Sequence, residues 1–167
     1  MLHIASENST SFVHALDEKC LSPNAVDLRL TKVFKILDNT FVLDEESKSH
    51  RGTRAIETEV DGYWHLWPGA YEIVLGNITI GPDEAGFVLP RSTLNRNGVY
   101  ITTGLYDSGY NGAMGACLHV TTSLFKVKPG TRVAQFLLFK AEALHQYDGS
   151  YGFKDGKAKP DEAKYHK

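Results

Sequence analysis

Pro90-Arg91-Ser92-Thr93-Leu94-Asn95-Arg96-Asn97-Gly98, followed closely by Gly104-Leu105-Tyr106-Asp107-Ser108-Gly109-Tyr110-Asn111-Gly112, is the stretch on which the reading of this chain turns. It gathers two arginines, three serine or threonine hydroxyls, a lone carboxylate and two tyrosines within about twenty residues, separated by turn-forming glycines. Guanidinium donors form a planar fork that matches phosphate oxygens, and hydroxyls add further donors. A carboxylate beside such a cluster can take a proton from water, and a tyrosine ring can lie against a sugar. These parts suit phosphate-ester chemistry on a nucleotide.

The bulk properties narrow the field. At 167 residues the chain is expected to form one domain with a real core. A formal net charge of −2 and a pI near 6.4 argue against a protein that coats nucleic acid, which would carry a basic excess. No apolar run reaches membrane-spanning length, and Met1-Leu2-His3-Ile4 does not open a signal peptide. Cys20 and Cys117 have no metal-type spacing and make no disulfide framework, so they read as reduced thiols of a cytoplasmic protein. Eight tyrosines, eight phenylalanines and 15 glycines fit a β-rich chain with many turns.

Along the chain, Thr10 to Lys19 reads as a short amphipathic helix or turn, with Phe12, Val13 and Leu16 on one side and Thr10 as its cap. Val26 to Leu30 alternates apolar and polar residues as a half-buried strand does. Lys32 to Leu43 reads as a strand pair about the turn Asp38-Asn39, and Asp44 to Glu59 as an exposed loop. Trp64 to Trp67, Tyr71 to Leu75 and Gly86 to Leu89 read as strands, broken at Pro68-Gly69, Gly76-Asn77 and Gly81-Pro82. Val99 to Thr103, Ala113 to Thr121 and Thr131 to Lys140 continue the series. Short strands between regular turn signals indicate an all-β sandwich or barrel. From Tyr147 the chain turns glycine- and lysine-rich, too polar to pack alone, and is either frayed or ordered by a partner.

The motifs resemble those of the trimeric dUTPase and dCTP deaminase superfamily, in the family's order over roughly residues 20 to 156. Asn24 to Leu30 is similar to the first motif in its deaminase-like form. Arg91 to Arg96 resembles the second, phosphate-binding motif. Gly104 to Gly112 resembles the third, which carries a water-activating aspartate and a sugar-stacking tyrosine. Gly130 to Phe136 matches the fourth, and Tyr147 to Phe153 is similar to the tail that closes over bound nucleotide. The resemblance implies an all-β, distorted jelly-roll barrel over residues 1–146, with 147–167 as a flexible C-terminal arm closing over an active site.

The same resemblance implies roles. Asp107 would be the catalytic base that primes water against the α-phosphorus of dUTP, giving dUMP and pyrophosphate. Taken without the motif, Asp before Ser-Gly is simply a turn residue. Arg91, Ser92, Thr93 and Arg96 would bind the phosphate chain, although surface solvation is the ordinary fate of arginine. Tyr110 would pack under the deoxyribose and exclude a 2′-hydroxyl, or else be an ordinary strand aromatic. Gly104 would belong to the base-reading hairpin. Gln135 either helps organise the phosphates or sits on an exposed strand face. Tyr151 and Phe153 would act from the arm. Asp27 supports the site through hydrogen bonds, with contact to a metal-bound water, or is a solvent-facing strand residue.

Mg²⁺ would arrive with the triphosphate and be held by phosphates and waters rather than directly by protein. His65, His119 and His145 are scattered, which does not fit zinc-type cytidine deaminases. A homotrimer with composite sites is implied, with a deoxynucleoside triphosphate as partner and neither nucleic acid nor membrane. The location would be the cytoplasm, of a host cell if the protein is viral. The deaminase branch uses a glutamate ten residues after the third-motif aspartate, and here that place is Cys117, a thiol unsuited to the proton transfers required. The framework wording of Asp27 to Leu30 nevertheless leans to that branch. A dCTP deaminase, alone or bifunctional with dUTP cleavage, is the second reading. A non-catalytic nucleotide-sensing or protein-binding member of the fold is the third.

Overall fold

In the computed structural model, which describes residues 1–166, the chain is built almost wholly from strands. The opening segment holds β1 (Phe12–Val13) and a 3-10 turn over Glu18–Cys20, whose cap Asp17 accepts from the Lys19 amide. β2 (Val26–Arg29) and β3 (Lys32–Ile36) follow, then the short β4 (Val42–Leu43), β5 (Lys48–Ser49) and β6 (Thr53–Ala55). β7 (Trp64–Leu66) leads into β8 (Gly69–Thr79), and β9 (Glu84–Pro90) runs into a five-residue helix, α1 (Ser92–Arg96). β10 (Val99–Thr102), β11 (Asn111–Val120), β12 (Phe125–Val127) and β13 (Arg132–Lys140) complete the barrel. The terminal segment carries β14 (Phe153–Lys154), β15 (Lys157–Ala158) and a 3-10 turn, Ala163–His166.

Antiparallel pairing sorts these strands into sheets. One runs β10-β11-β8-β3-β6, with β1 pairing the far end of β8, and another runs β2-β13-β9. Period-two patterning orients them, as in β10, where Val99 and Ile101 are buried while Tyr100 and Thr102 face out. The two sheets close over one core. Val26, Leu28, Val88, Phe136 and Leu138 from the three-stranded sheet meet Ile73, Ile78, Met114 and Leu118 from the larger one. This is the all-β architecture that the spacing of short strands implies.

β8 and β11 are covered on both faces. Ile73 and Met114 point into the core, while their neighbours Val74 and Ala113 form a second cluster with Tyr165 from the terminal segment. The pair is also bent. Leu75 and Gly76 together oppose Met114, because the register shifts between Ala113 and Gly115. Gly76 has a φ of +99°, a conformation that a side chain strongly disfavours. The extra residue bends β8 at this point.

Several expectations are corrected. Thr10 to Lys19 is not a helix: it is extended at β1, and the Thr10 amide donates to the Glu84 carboxylate instead of capping a helix. Burial of a strong acceptor outweighs a weak helical pattern there. Lys32 to Leu43 is not a hairpin, because β3 pairs with β6 and β8, whereas β4 pairs with β5. Gly76-Asn77 does not break a strand, since the bulge absorbs it. α1 lies within the segment read only as the second, phosphate-binding motif. The polar tail packs on the outer face of its own barrel, with Tyr165 and Glu162 buried; Lys167 lies outside the described residues.

Candidate functional site

Asp107 sits in a turn pinned from every side by backbone. Tyr106 and Gly86 exchange hydrogen bonds of 2.8 and 3.1 Å, and the Ile80 amide donates to Tyr110 at 2.7 Å. The Ser108 hydroxyl donates to the Glu84 carbonyl at 2.8 Å, and the Tyr147 amide to the Ser108 carbonyl at 2.8 Å. The aspartate itself is exposed, and among the described residues its side chain receives no hydrogen bond. A rigid mount therefore carries a carboxylate with both oxygens open.

Glu84 is the anchor under that turn. Fully buried, it accepts from the amides of Thr10 and Ser11 at 3.1 and 3.0 Å, from Ser9 Oγ and Ser11 Oγ, and from Lys140 Nζ at 2.9 Å. Burial alone would raise its pKa; the Ser11, Lys140, Thr10 and Ser9 bonds outweigh it and hold the group at about 2.

Beside the Asp107 turn opens a cavity of about 560 Å³, within the usual size range of small-molecule sites. Gly104, Tyr106 and Tyr110 come from the turn, Ala116 and Cys117 from β11, Glu72 from β8, and Tyr151, Lys164 and Tyr165 from the terminal segment. Tyr110 is buried and donates to the Ala113 carbonyl at 2.6 Å; its ring meets those of Tyr106 and Tyr147 edge-on. Burial, with the charge of Glu162 nearby, pushes the Tyr106 and Tyr110 hydroxyls well above the usual phenol range. Burial, then Asp161 and Glu72, lifts Tyr151 to about 12. These rings are neutral walls. Cys117 is half-buried, and burial, with some help from the Glu72 charge, pushes its thiol up. The thiol form is therefore favoured over the nucleophilic thiolate.

The terminal segment is fastened by Glu162, which is 0 % exposed. Its carboxylate accepts from the amides of Ala113 at 2.7 Å and Gly152 at 3.0 Å, with His166 Nε2 at 2.9 Å. Gly112 and Gly152 meet so closely that a Cβ on Gly112 would lie 2.6 Å from the Gly152 Cα. Neither position has room for a side chain.

A second group lies on the β2-β13 pair. Asp27, 3 % exposed, accepts from Arg132 Nη1 at 3.2 Å and Gln135 Nε2 at 3.2 Å, and Arg91 Nε stands 3.7 Å away. Arg91 caps the start of α1 and also donates to the Arg132 carbonyl at 3.3 Å. Ser92, Thr93 and Arg96 are exposed on α1. Asp27 is thus a buried acceptor rather than a solvent-facing strand residue, and Gln135 is one of its donors.

The structure therefore brings Gly104, Tyr110 and Tyr151 together in the cavity, with Asp107 one residue beyond its lining. It gathers Arg91, Gln135 and Asp27 elsewhere; none of these, nor Ser92, Thr93 or Arg96, lines the cavity of the same chain. Phe153 does not line it either: in β14 it packs on His166, ring centroids 4.9 Å apart. Arg132, Glu72, Lys164 and Tyr165 were missed as site residues. Arg132 stood inside a quoted motif, and a carboxylate inside the apolar run Tyr71 to Leu75 was a signal for Glu72. Lys164 and Tyr165 gave none, since only the fold of the tail brings them in.

Residues 2–141 match the dCTP deaminase-like family. The chain belongs to that family. A probable deoxyuridine 5'-triphosphate nucleotidohydrolase of Methanopyrus kandleri is 34 % identical over 140 residues, covering 82 % of this chain and 90 % of that one. A dUMP-forming dCTP deaminase of Nocardioides sp. is 31 % identical over 140 residues, covering 78 % and 72 %. Among solved structures, the 2'-deoxycytidine 5'-triphosphate deaminase of Agrobacterium tumefaciens superposes with a TM-score of 0.59 at 18 % identity. That match covers 80 % of this chain but 44 % of the deaminase. The EIAV dUTPase gives 0.51 at 16 % identity, covering 88 % and 97 %. At such identities the superpositions establish the shared dCTP deaminase-like barrel and nothing finer.

Proposed function

We propose that this protein hydrolyses dUTP to dUMP and pyrophosphate, with Asp107 as the base. The observation that carries the proposal is a carboxylate with open oxygens, rigidly mounted at the edge of a tyrosine-walled cavity of nucleoside size. Asp107 takes a proton from a water as its oxygen attacks the α-phosphorus, and the bond to the bridging oxygen of the β-phosphate breaks. Gly104 and Tyr110 hold the nucleoside, and Tyr151 closes over it.

Arg91, Ser92, Thr93 and Arg96 bind the phosphates, with Gln135 and Asp27 orienting the arginines. Because these groups and the cavity lie apart in one chain, the site is composite: a neighbouring copy in a homotrimer supplies the phosphate group. Similarity to a dUTP nucleotidohydrolase at 34 % identity supports the substrate.

Mg²⁺ fits this donor set only as an ion borne by the triphosphate. Among the described residues no three His, Cys, Asp or Glu side chains converge on one point, and Asp27 is committed to Arg132 and Gln135. Asp107, with free oxygens, is the residue able to touch a water of such an ion, which would supply neutralising charge on the phosphates. No helix among the described residues is long and apolar enough to cross a membrane, and both cysteines are free, which suits work in a reducing cytoplasm.

Deamination of dCTP is the weaker reading, because the place of the deaminating acid holds the neutral Cys117. Incubation with Mg²⁺ and each deoxynucleoside triphosphate, with products resolved, tests the proposal. dUMP and pyrophosphate from dUTP are expected; ammonia from dCTP, or no product at all, would overturn it.

A further inference from the structure

Glu72 is the one carboxylate lining the cavity among the described residues, and the phosphate chemistry leaves it unused. It stands on β8 directly across from Cys117 on β11, so the two side chains leave the sheet on the same face. Its Oε1 accepts from the Tyr165 hydroxyl at 2.6 Å and forms an ion pair with Lys164 Nζ at 2.6 Å. Among the described residues its Oε2 receives no hydrogen bond, and the side chain keeps 15 % of its surface open. A structural clasp for the C-terminal segment would explain the loaded oxygen. It leaves the open one, the second oxygen of the sole carboxylate among the described lining residues, without a purpose.

We infer that Glu72 is a specificity-determining residue of the pyrimidine subsite: Oε2 accepts the N3–H of uracil while Lys164 donates to an adjacent ring carbonyl. The inference rests on the dUTP reading above. The Lys164 ammonium, ion-paired with Oε1, carries three donors, so an acceptor and a donor stand side by side. The imide edge of uracil presents the complement, an N–H flanked by carbonyls. The C-terminal segment then belongs to the base site of its own chain. Tyr165 and Lys164 fix the rotamer of Glu72, and Glu162 holds both in place through Ala113 and Gly152.

The test is the isosteric variant Glu72→Gln. Its amide oxygen would keep the Tyr165 and Lys164 bonds, which turns the amide NH₂ toward the ring. That donor meets N3–H of uracil badly and the unprotonated N3 of cytosine well. Binding of non-hydrolysable α,β-imido analogues of dUTP and dCTP is measured by calorimetry in both proteins, with thermal melts to verify folding. The dUTP-to-dCTP affinity ratio should fall by roughly tenfold or more, the discrimination expected when one buried donor–acceptor match is reversed.

A second measurement uses 3-methyl-dUTP. The unmodified protein should reject it, and Glu72→Ala should lose most of that rejection. An unchanged affinity ratio in Glu72→Gln, or undiminished rejection of the methylated base in Glu72→Ala, with dUTP cleavage intact, removes the role of Glu72 alone. Failure of the unmodified protein to bind or cleave dUTP would instead overturn the function proposed above, and this inference with it.

Discussion

The cavity beside the Asp107 turn and the cluster around Asp27 are held by different means. The cavity is walled largely by neutral tyrosines, with the Glu72–Lys164 pair, His50 and Arg51 also lining it, and its mount is a web of backbone hydrogen bonds tied to buried Glu84. The cluster is ionic, with two arginines and an amide converging on one buried aspartate from strand β13 and the start of α1. The first selects shape and ring edge. The second presents positive charge. A neutral nucleoside end and a highly charged phosphate end need such opposite surroundings, and one barrel offers them at two places rather than in one pocket.

The largest effect should come from the carboxylate beside the cavity. Asp107→Asn is expected to lower kcat by about a thousandfold or more, as loss of a general base does, while the Kd for an imido analogue of dUTP stays nearly constant. A parallel loss of affinity would mean that the carboxylate serves binding rather than proton transfer. Mixing then tests whether the regions cooperate across copies. Arg91→Ala and Asp107→Asn proteins, each poorly active alone, should regain roughly one quarter of normal activity when co-assembled from equal amounts, since random pairing completes that share of composite sites. No recovery would place both regions in one chain's site.

A smaller, pH-dependent effect is expected at the anchor. Glu84 is held at about 2, below its ordinary 4.5, so it contributes stability fully above pH 4.5 and loses it as the pH falls toward 2. Glu84→Gln should lower the melting temperature at neutral pH and flatten the decline between those limits. A variant that declines as steeply as the parent would assign acid sensitivity to other groups. The smallest change should follow Tyr110→Phe, which removes the 2.6 Å bond to the Ala113 carbonyl but keeps the ring. About 1 kcal/mol of stability should be lost in urea titration, with kcat for dUTP little altered.

How much of this was legible depended on whether function lay in residue type or in backbone. Arg91, Asp107 and Tyr110 stood in motifs whose chemistry can be read from side chains, and most strands from Val26 to Lys140 announced themselves by period and turns, but β5 and β6 lie in the segment read as an exposed loop. Gly76 misled because a bulge and a strand break look alike in sequence; only the pairing with Met114 distinguishes them. The Thr10 segment misled because its partner, Glu84, is more than seventy residues away. The separation of Gln135 from Gly104 into different regions could not be read from motif order, which carries no distances. Nor could the role of the tail, whose polarity suggested disorder while its buried members, Glu162 and Tyr165, match donors and acceptors on β11 and β8.

The pairing of residue 117 with residue 72 also limits how this lineage can change its chemistry. A glutamate at 117 would face Glu72 across adjacent strands, and like charges set directly opposite repel and weaken a sheet. A carboxylic acid at position 117 is therefore disfavoured while Glu72 stands opposite it.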